Sequence, residues 1–204
     1  MSVLGELQPN KVFKYFEEIC SIPHGSRNLQ QISDYLVDFA KAHELKYRQD
    51  EDLNVIIWKD GSKGYEASEP VILQGHMDMV AVKEADCDKD MEKEGLDLEI
   101  NGDYISAKGT SLGGDDGIAV AYTLAVLDDE EMAHPPIEAI FTVNEEIGML
   151  GAATIDVSDL KGRLFMNMDS EDEGVFTVSC AGGASVICKI PYETETVNAS
   201  VIEI

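Results

Sequence analysis

The sequence has few basic residues and no long apolar run. Of its 204 residues, 15 are Lys or Arg and 40 are Asp or Glu, which gives a formal net charge of -25. A surface with this much negative charge repels phosphate backbones and anionic membranes. We therefore expect neither nucleic acid nor a membrane as a partner. No window approaches the roughly 18 apolar residues that a membrane-spanning helix needs. We therefore expect a soluble globular protein, with one domain or one domain and the start of another.

The sequence also has no closely spaced cysteine pair, and its first residues do not have the pattern expected of a secretion signal. Cys20, Cys87, Cys180 and Cys188 are widely separated, and no C-x-x-C pair occurs. This spacing favours reduced thiols over a disulfide framework or a structural zinc site. The N-terminal stretch MSVLGELQPNKVFKYFEEIC lacks a basic region followed by an apolar core and a small-residue cleavage site. Both features favour a cytoplasmic location.

Hydrophobic periodicity predicts an α/β fold. Apolar residues at helical spacing predict helices over residues 9–20 and 27–43, and a third over roughly 116–128. Short β-prone runs lie at residues 54–59, 71–76, 104–107, 137–143, 163–168 and 175–180. Strands that alternate with helices predict a mixed sheet that is covered on both faces.

Two stretches depart from this alternation. Residues 82–102 are acidic and weakly periodic, which indicates an excursion over the surface. Residues 183–204 alternate and are rich in β-branched side chains, with no helix between them. We therefore predict one domain over residues 1–182 and the first strands of a second domain over residues 183–204.

Ionisable side chains collect at the ends of the predicted strands and in one glycine-rich turn. They are His76 and Asp78 after VILQG, Asp115 and Asp116 within SLGGDDG, Glu145 and Glu146 after IEAIFTVN, and Asp169 after RLFMNM. In open α/β sheets, functional groups gather at the carboxyl ends of the strands. One histidine with several carboxylates exceeds what a closed structural zinc site uses. This set favours two divalent ions that share a bridging carboxylate.

The pattern also suggests separate roles. The glycines beside Asp115 let the chain bend there, which makes Asp115 the plausible bridge between the ions. Glu145 and Glu146 cannot face the same way in a regular strand, so one would bind metal and the other would act as general base. Asp78, on the same face as His76, could hydrogen-bond the imidazole nitrogen that faces away from the metal.

Each of these segments has an ordinary structural explanation. A histidine at a strand end is usually a core residue, an aspartate in a glycine-rich turn usually caps a helix, and paired glutamates are usually solvated. Asp169 also begins an acidic run. The hypothesis of a metal site depends on the coincidence of all four segments.

The motifs GHMDMV, GTSLGGDDGIA, NEEIGMLGA and MNMDSEDEG, in this order, resemble those of the M20 group of dinuclear zinc peptidases. Within the group they look most like the aminoacyl-histidine dipeptidases, also called Xaa-His dipeptidase, peptidase D or carnosinase-like. EICSIPHGSRN and SCAGGAS are also similar to that subfamily. The resemblance implies a zinc-exopeptidase catalytic domain of the phosphorylase/hydrolase-like fold, two divalent ions (zinc, or alternatively manganese or cobalt) and a dipeptide substrate.

The resemblance also implies residue roles and a cis peptide bond between Asp115 and Asp116. Many relatives carry Asp-x-Lys-Gly at this turn, and the absence of the lysine here favours the aminoacyl-histidine dipeptidases. The implied metal ligands are His76 and Asp169 on one ion, Asp115 as the bridge and Glu146 on the other ion, with Glu145 as general base and Asp78 as the partner of His76.

Family members are longer than this chain. They carry an inserted lid domain, after which the catalytic domain is completed and supplies a second metal-binding histidine, expected here beyond Ile204. His24 lies in a predicted turn, His43 near the polar end of the second predicted helix and His134 in a predicted loop, and all three are poor substitutes for it. The resemblance thus implies an N-terminal portion that is itself poorly active, and a homodimer for the longer protein.

The resulting hypothesis is hydrolysis of dipeptides, in particular Xaa-His, by a metal-bridged hydroxide with Glu145 as general base. One alternative is another M20-type amidohydrolase, such as a tripeptidase, a carboxypeptidase or an N-acyl amino acid deacylase. A second alternative, from another class, is a non-catalytic acidic domain that binds calcium or a protein partner.

Overall fold

The computed structural model of the protein describes residues 2–170, 174–179, 182–183 and 186–194. The chain divides into two compact units, Met1–Glu171 and Asp172–Ile204. Every helix and strand of the described residues lies in the first unit. The strand predicted over 175–180 is not formed at residues 175–179, and Cys180 lies outside the described residues. The domain boundary after residue 182 and the start of a lid at residue 183 stay predictions.

The first unit contains four helices and seven strands within its described residues. In chain order they are α1 (Asn10–Cys20), α2 (Gln30–Ala42), β1 (Lys46–Gln49), β2 (Val55–Lys59), β3 (Val71–His76), β4 (Leu98–Asn101), β5 (Tyr104–Ala107), α3 (Gly114–Leu127), β6 (Ile137–Thr142), α4 (Leu150–Thr154) and β7 (Leu164–Asn167). The three predicted helices and five of the predicted strands are confirmed. The sequence patterns did not predict β1, β4 or α4.

Five strands form a mixed sheet in the order β1-β2-β6-β3-β7. β3 runs parallel to both β6 and β7, with Val71 beside Ile137 on one side and Leu164 on the other. β1 and β2 are antiparallel to their neighbours, and β4 and β5 form a separate antiparallel pair. Because β3, β6 and β7 are parallel, their carboxyl ends lie at the same edge of the sheet.

The helices cover one face of this sheet. Strand residues such as Leu73 and Phe141 belong to a buried hydrophobic cluster on this face. The helices contribute Phe16 from α1, Leu36 from α2 and Leu124 from α3 to the same cluster. The opposite face carries a smaller cluster around Ile56, Ile72 and Ile140, packed by Trp58, Ile155 and Leu160. β6 is buried along its whole length, as expected for a central strand covered on both faces.

A buried carboxylate joins β6 to the segment before β7. Glu138 is 4% exposed, and its side-chain oxygens accept hydrogen bonds from the main-chain N–H groups of Lys161 and Gly162 at 2.8–3.0 Å. A buried carboxylate is costly unless its oxygens are hydrogen-bonded. These bonds therefore hold the chain where it enters β7, the strand that leads to Asp169.

Candidate metal centre

His76 ends β3 and is almost completely buried, at 1% exposure. Its Nδ1 lies 2.9 Å from the main-chain oxygen of Asp78, and its Nε2 lies 3.0 Å from Oδ1 of Asp115. The Asp78 side-chain oxygen is farther from Nδ1, at 3.6 Å. The chain leaves the strand after His76, which brings the carbonyl of Asp78 rather than its carboxylate closest to the ring. The predicted role of the Asp78 carboxylate in orienting the imidazole stays a prediction.

Asp115 and Asp116 lie in the glycine-rich turn at the start of α3. Gly113 has the left-handed φ of 67° that favours glycine, and the Asp115–Asp116 peptide bond is cis, as the resemblance implied. Asp116 is buried, and its Oδ2 accepts a hydrogen bond from the main-chain N–H of His76 at 3.2 Å. The turn is thereby attached to the end of β3.

The close approach of this turn requires Gly75. A Cβ atom at that position would lie 2.8 Å from Oδ2 of Asp116 and 2.9 Å from the Cβ of Ala119. Both separations are shorter than real side-chain contacts allow. A glycine in β3 thus lets the first turn of α3 reach the sheet and brings Asp115 to His76.

Glu145 and Glu146 follow β6, and Asp169 follows β7. Oε2 of Glu145 and Oδ2 of Asp169 each lie 4.0 Å from Nε2 of His76. Two groups could hold a metal ion, with ligand atoms within 4.8 Å of one another: His76 with Asp115 and Glu146, and His76 with Glu145 and Asp169. The structure thus brings the four predicted metal ligands and the predicted base together at the carboxyl edge of the sheet. Each glutamate belongs to one group, so their separate roles stay predictions.

The donor atoms suit a divalent cation. A buried imidazole nitrogen converges with carboxylate oxygens from three other segments, which is the donor set of hydrolytic zinc and manganese sites. Burial opposes a positive charge on His76, but the nearby carboxylates of Asp78 and Asp116 raise its pKa to about 10. The carboxylates around His76 therefore favour positive charge at this position.

The same crowding affects the acids. Burial, together with the charges of Asp169 and Asp115, raises the pKa of Asp116 to about 7, although His76 opposes this. Burial is also the largest cause of the raised pKa values of Glu145 and Glu146, to which neighbouring carboxylates add. A cation among these groups would relieve their mutual repulsion.

Asp78 connects two loops of the site. Its Oδ2 accepts a hydrogen bond from the Ser26 hydroxyl at 2.8 Å, and its Oδ1 accepts one from the main-chain N–H of Glu145 at 3.0 Å. Burial raises the pKa of Asp78, but the nearby His76 ring and the hydrogen bonds from Glu145 and Ser26 outweigh burial and lower it. Ser26 was not among the predicted site residues. It lies in EICSIPHGSRN, a motif that had been noted without a role.

The loop around Ser26 is fixed beside the site. Gly25 forms a β-bridge with Met79, and the N–H of Ser26 donates to the Met79 carbonyl at 3.2 Å. The next N–H, that of Arg27, donates to Oδ1 of Asn144 at 2.8 Å. Arg27 and Asn144 both have left-handed backbones, with φ of 72° and 53°. Neither residue was predicted to belong to the site.

The other histidines of the described residues belong to neither candidate group. Nδ1 of His24 contacts the Ile22 carbonyl at 2.6 Å. His43 lies against the ring of Phe39, and His134 contacts the carbonyl of Pro135. Whether any of them could replace a second metal-binding histidine stays a prediction.

The structure thus places an imidazole and several carboxylates, which could hold a metal ion, at the carboxyl edge of the parallel strands of a mixed sheet. No protein-family model matches the chain. The chain is 39% identical over 199 residues to the cytosol non-specific dipeptidase of Escherichia coli. The aligned region covers 98% of this chain and 41% of the E. coli protein. Over the range that it spans, the chain belongs to the M20 family of dipeptidases, as its motifs indicated.

Solved structures agree with this relation. An aminoacylhistidine dipeptidase from Vibrio alginolyticus superposes with a TM-score of 0.81 and 40% identity, covering 84% of this chain and 35% of the other. A tripeptidase from Staphylococcus aureus, at 23% identity and a TM-score of 0.67, covers 82% and 45% and has the same fold. The chain thus spans about two fifths of the length of the dipeptidases that it matches. Within the described residues, no helix is long and apolar enough to cross a membrane.

Proposed function

We propose that this chain carries the metal-binding centre of a cytoplasmic, metal-dependent dipeptidase that hydrolyses Xaa-His dipeptides. The observation that carries the proposal is the convergence of carboxylate oxygens from Asp115, Glu145 and Asp169 on Nε2 of His76, at 3.0–4.0 Å. The relation to the dipeptidases of E. coli and V. alginolyticus supports it.

In this proposal, two divalent ions are held by His76, Asp115, Glu146 and Asp169, with Asp115 shared. Zinc is the first choice, and manganese and cobalt are alternatives with the same donor preference. When bound, the ions supply positive charge that lowers the pKa of water and polarises the scissile carbonyl. The contact between Nδ1 of His76 and the Asp78 carbonyl supports this assignment, since it leaves Nε2 directed at the carboxylates.

Glu145 is the proposed general base. Its carboxylate accepts a proton from the attacking water and later delivers it to the amine that leaves when the amide bond breaks. The hydrogen bond from its own N–H to Asp78 holds the main chain of Glu145 beside His76 during both transfers. No net proton is gained or lost by the side chain over the cycle.

Two relatives bear differently on the choice of substrate. The V. alginolyticus protein is an aminoacylhistidine dipeptidase, whereas the E. coli protein is a non-specific dipeptidase. A panel of Xaa-His dipeptides, other dipeptides, tripeptides and N-acyl amino acids separates these specificities. Preference for tripeptides or acyl amino acids would favour another amidohydrolase of the same family.

The test of the metal centre compares two adjacent glutamates. We expect Glu145→Gln to abolish dipeptide hydrolysis by the natural protein that contains this chain, with metal content unchanged. Its matched control, Glu146→Gln, should reduce metal content as measured by mass spectrometry after dialysis. Undiminished turnover in Glu145→Gln would remove the base assignment, and binding of calcium alone would favour a non-catalytic binding domain.

A further inference from the structure

We infer that Asn54 is a positioning residue of the candidate metal centre, because its buried carboxamide group closes the base of the loop that carries Glu145 and Glu146. The inference rests on the proposed function, in which Glu145 is the general base and Glu146 binds metal. Asn54 immediately precedes β2 and lies outside the four motifs that indicated the site. It acts through the main chain of the loop and not through contact with metal or substrate.

The side chain of Asn54 is held in a single orientation by two unlike neighbours. Asn54 is 1% exposed, and its Oδ1 accepts a hydrogen bond from the main-chain N–H of Val143 at 3.1 Å. Its Nδ2 donates to Oδ2 of Asp50 at 2.8 Å. Because Val143 supplies a donor and Asp50 an acceptor, a rotated carboxamide would place like groups against each other. A side chain without an acceptor here would leave the buried N–H of Val143 without this partner.

A ring of hydrogen bonds joins Asn54 to both ends of the loop formed by residues 144–150. Val143 precedes this loop and Gly151 follows it, and the N–H of Gly151 donates to the Val143 carbonyl at 2.9 Å. Nδ2 of Asn54 lies 3.4 Å from the Gly151 carbonyl, and this longer contact completes the ring. Asn54 thus holds the two ends of the loop side by side.

The absence of a side chain at Gly151 allows this close approach. A Cβ atom at that position would overlap Oδ1 of Asn54 and would lie 2.6 Å from the carbonyl oxygen of Val143. Both neighbours are fixed, one by its hydrogen bonds and the other by its place at the end of β6. The base of the loop is therefore packed without free space around the carboxamide of Asn54.

The loop needs such support because its backbone conformation is unfavourable by itself. Asn144 and Met149, which flank the two glutamates, have left-handed φ of 53° and 55°. Residues other than glycine keep this conformation only where the surrounding structure holds them. The glutamate carboxylates belong to the two candidate metal groups, so their positions depend on the path of this loop. Loss of the Asn54 carboxamide would release the base of the loop and move both carboxylates away from His76.

The test compares Asn54→Ala and the milder Asn54→Ser with a matched control, Ser33→Ala, in the natural protein that contains this chain. Ser33 is also buried, and its hydroxyl donates to the Leu53 carbonyl at 2.7 Å and accepts from Gln49, both outside the loop. We expect both Asn54 variants to lower kcat for L-alanyl-L-histidine about 10- to 100-fold with KM little changed, because a displaced base slows the chemical step. Zinc affinity, measured by competition with a chelator, should also fall about 10- to 100-fold. Ser33→Ala should change neither quantity.

Amide hydrogen exchange of the metal-free protein separates this inference from the proposed function. Both Asn54 variants should raise the exchange rates of the Val143 and Gly151 N–H groups about tenfold or more, whereas Ser33→Ala should not. Faster exchange in a protein that hydrolyses no dipeptide would support the closure of the loop by Asn54 and contradict the dipeptidase. Unchanged exchange at Val143 and Gly151, or kcat that falls equally in Asn54→Ser and Ser33→Ala, would overturn the role of Asn54.

Discussion

Replacing Gly75 by alanine tests whether the candidate metal centre depends on the close approach of α3 to β3. The new methyl group would lie 2.8 Å from Oδ2 of Asp116 and 2.9 Å from the Cβ of Ala119. Because one of these atoms is on a helix and the other on a buried carboxylate, neither can move away without shifting the turn. The displaced Asp116 would also lose its hydrogen bond to the N–H of His76.

The magnitude follows from two opposing effects. Overpacking a core typically costs about 1–3 kcal/mol, and a lost charged hydrogen bond about 1.5–3 kcal/mol. Replacing glycine by alanine in a strand gains about 0.4–1 kcal/mol from the reduced entropy of the unfolded chain. The steric effect is larger, so we expect Gly75→Ala to lower the free energy of unfolding by about 2–4 kcal/mol and to weaken metal binding.

Urea unfolding and metal titration measure the two consequences. The control is Gly114→Ala in the same turn, where an added Cβ would meet its nearest neighbour, a Leu112 methyl group, at 3.8 Å. It should change the free energy of unfolding by less than about 1 kcal/mol. Equal stabilities of Gly75→Ala and Gly114→Ala would refute the reasoning that β3 and α3 are in direct contact at Gly75.

Two further predictions concern carboxylates away from the site. Burial raises the pKa of the Glu17 carboxyl group, but hydrogen bonds from residues 2–4 outweigh burial and lower this pKa. The ionised Glu17 therefore stabilises the fold at neutral pH, and this stabilisation is lost as pH falls below about 4.5. Glu17→Gln should flatten this part of the pH–stability curve measured by urea unfolding. Glu138→Gln would place an amide N–H₂ group opposite the main-chain N–H donors of Lys161 and Gly162, so it should lower the free energy of unfolding by about 1–3 kcal/mol in the same assay. The control is Glu130→Gln at an exposed position, which should change the free energy of unfolding little. An unchanged midpoint for Glu138→Gln would contradict the anchoring of the segment before β7.

The sequence predicted the elements whose residues are apolar or β-prone, including β7, whose residues are exposed. The apolar residues of α1 and α2 recur at helical spacing and are the ones that are buried, and the β-prone run of β6 is buried along its whole length. The sequence did not predict β1, because its residues KYRQ are polar and at most partly buried. This segment forms a strand because it pairs with β2. β4 and α4 span four and five residues, too few for a period to be visible.

The site was predictable as a set of residues but not as a set of contacts. Parallel strands end at one edge, and from this rule alone His76, Glu145 and Asp169 were expected together. The period-two rule also placed the Asp78 carboxylate beside His76, but the strand ends there and the carbonyl takes the closest contact. Hydrogen bonds between loops, such as that of Ser26 to Asp78, depend on the tertiary fold and leave no periodic signal.

The parallel register of β3 with β6 and β7 has a consequence for the order of folding. Partners such as Val71, Ile137 and Leu164 are far apart in the sequence, so long loops must close before the strands can pair. Only then do the carboxylates meet, and their repulsion opposes the last step. A divalent ion would relieve this repulsion only after the strands have paired. We therefore expect a bound ion to lower the unfolding rate of the sheet more than it raises the rate at which α1 and α2 form.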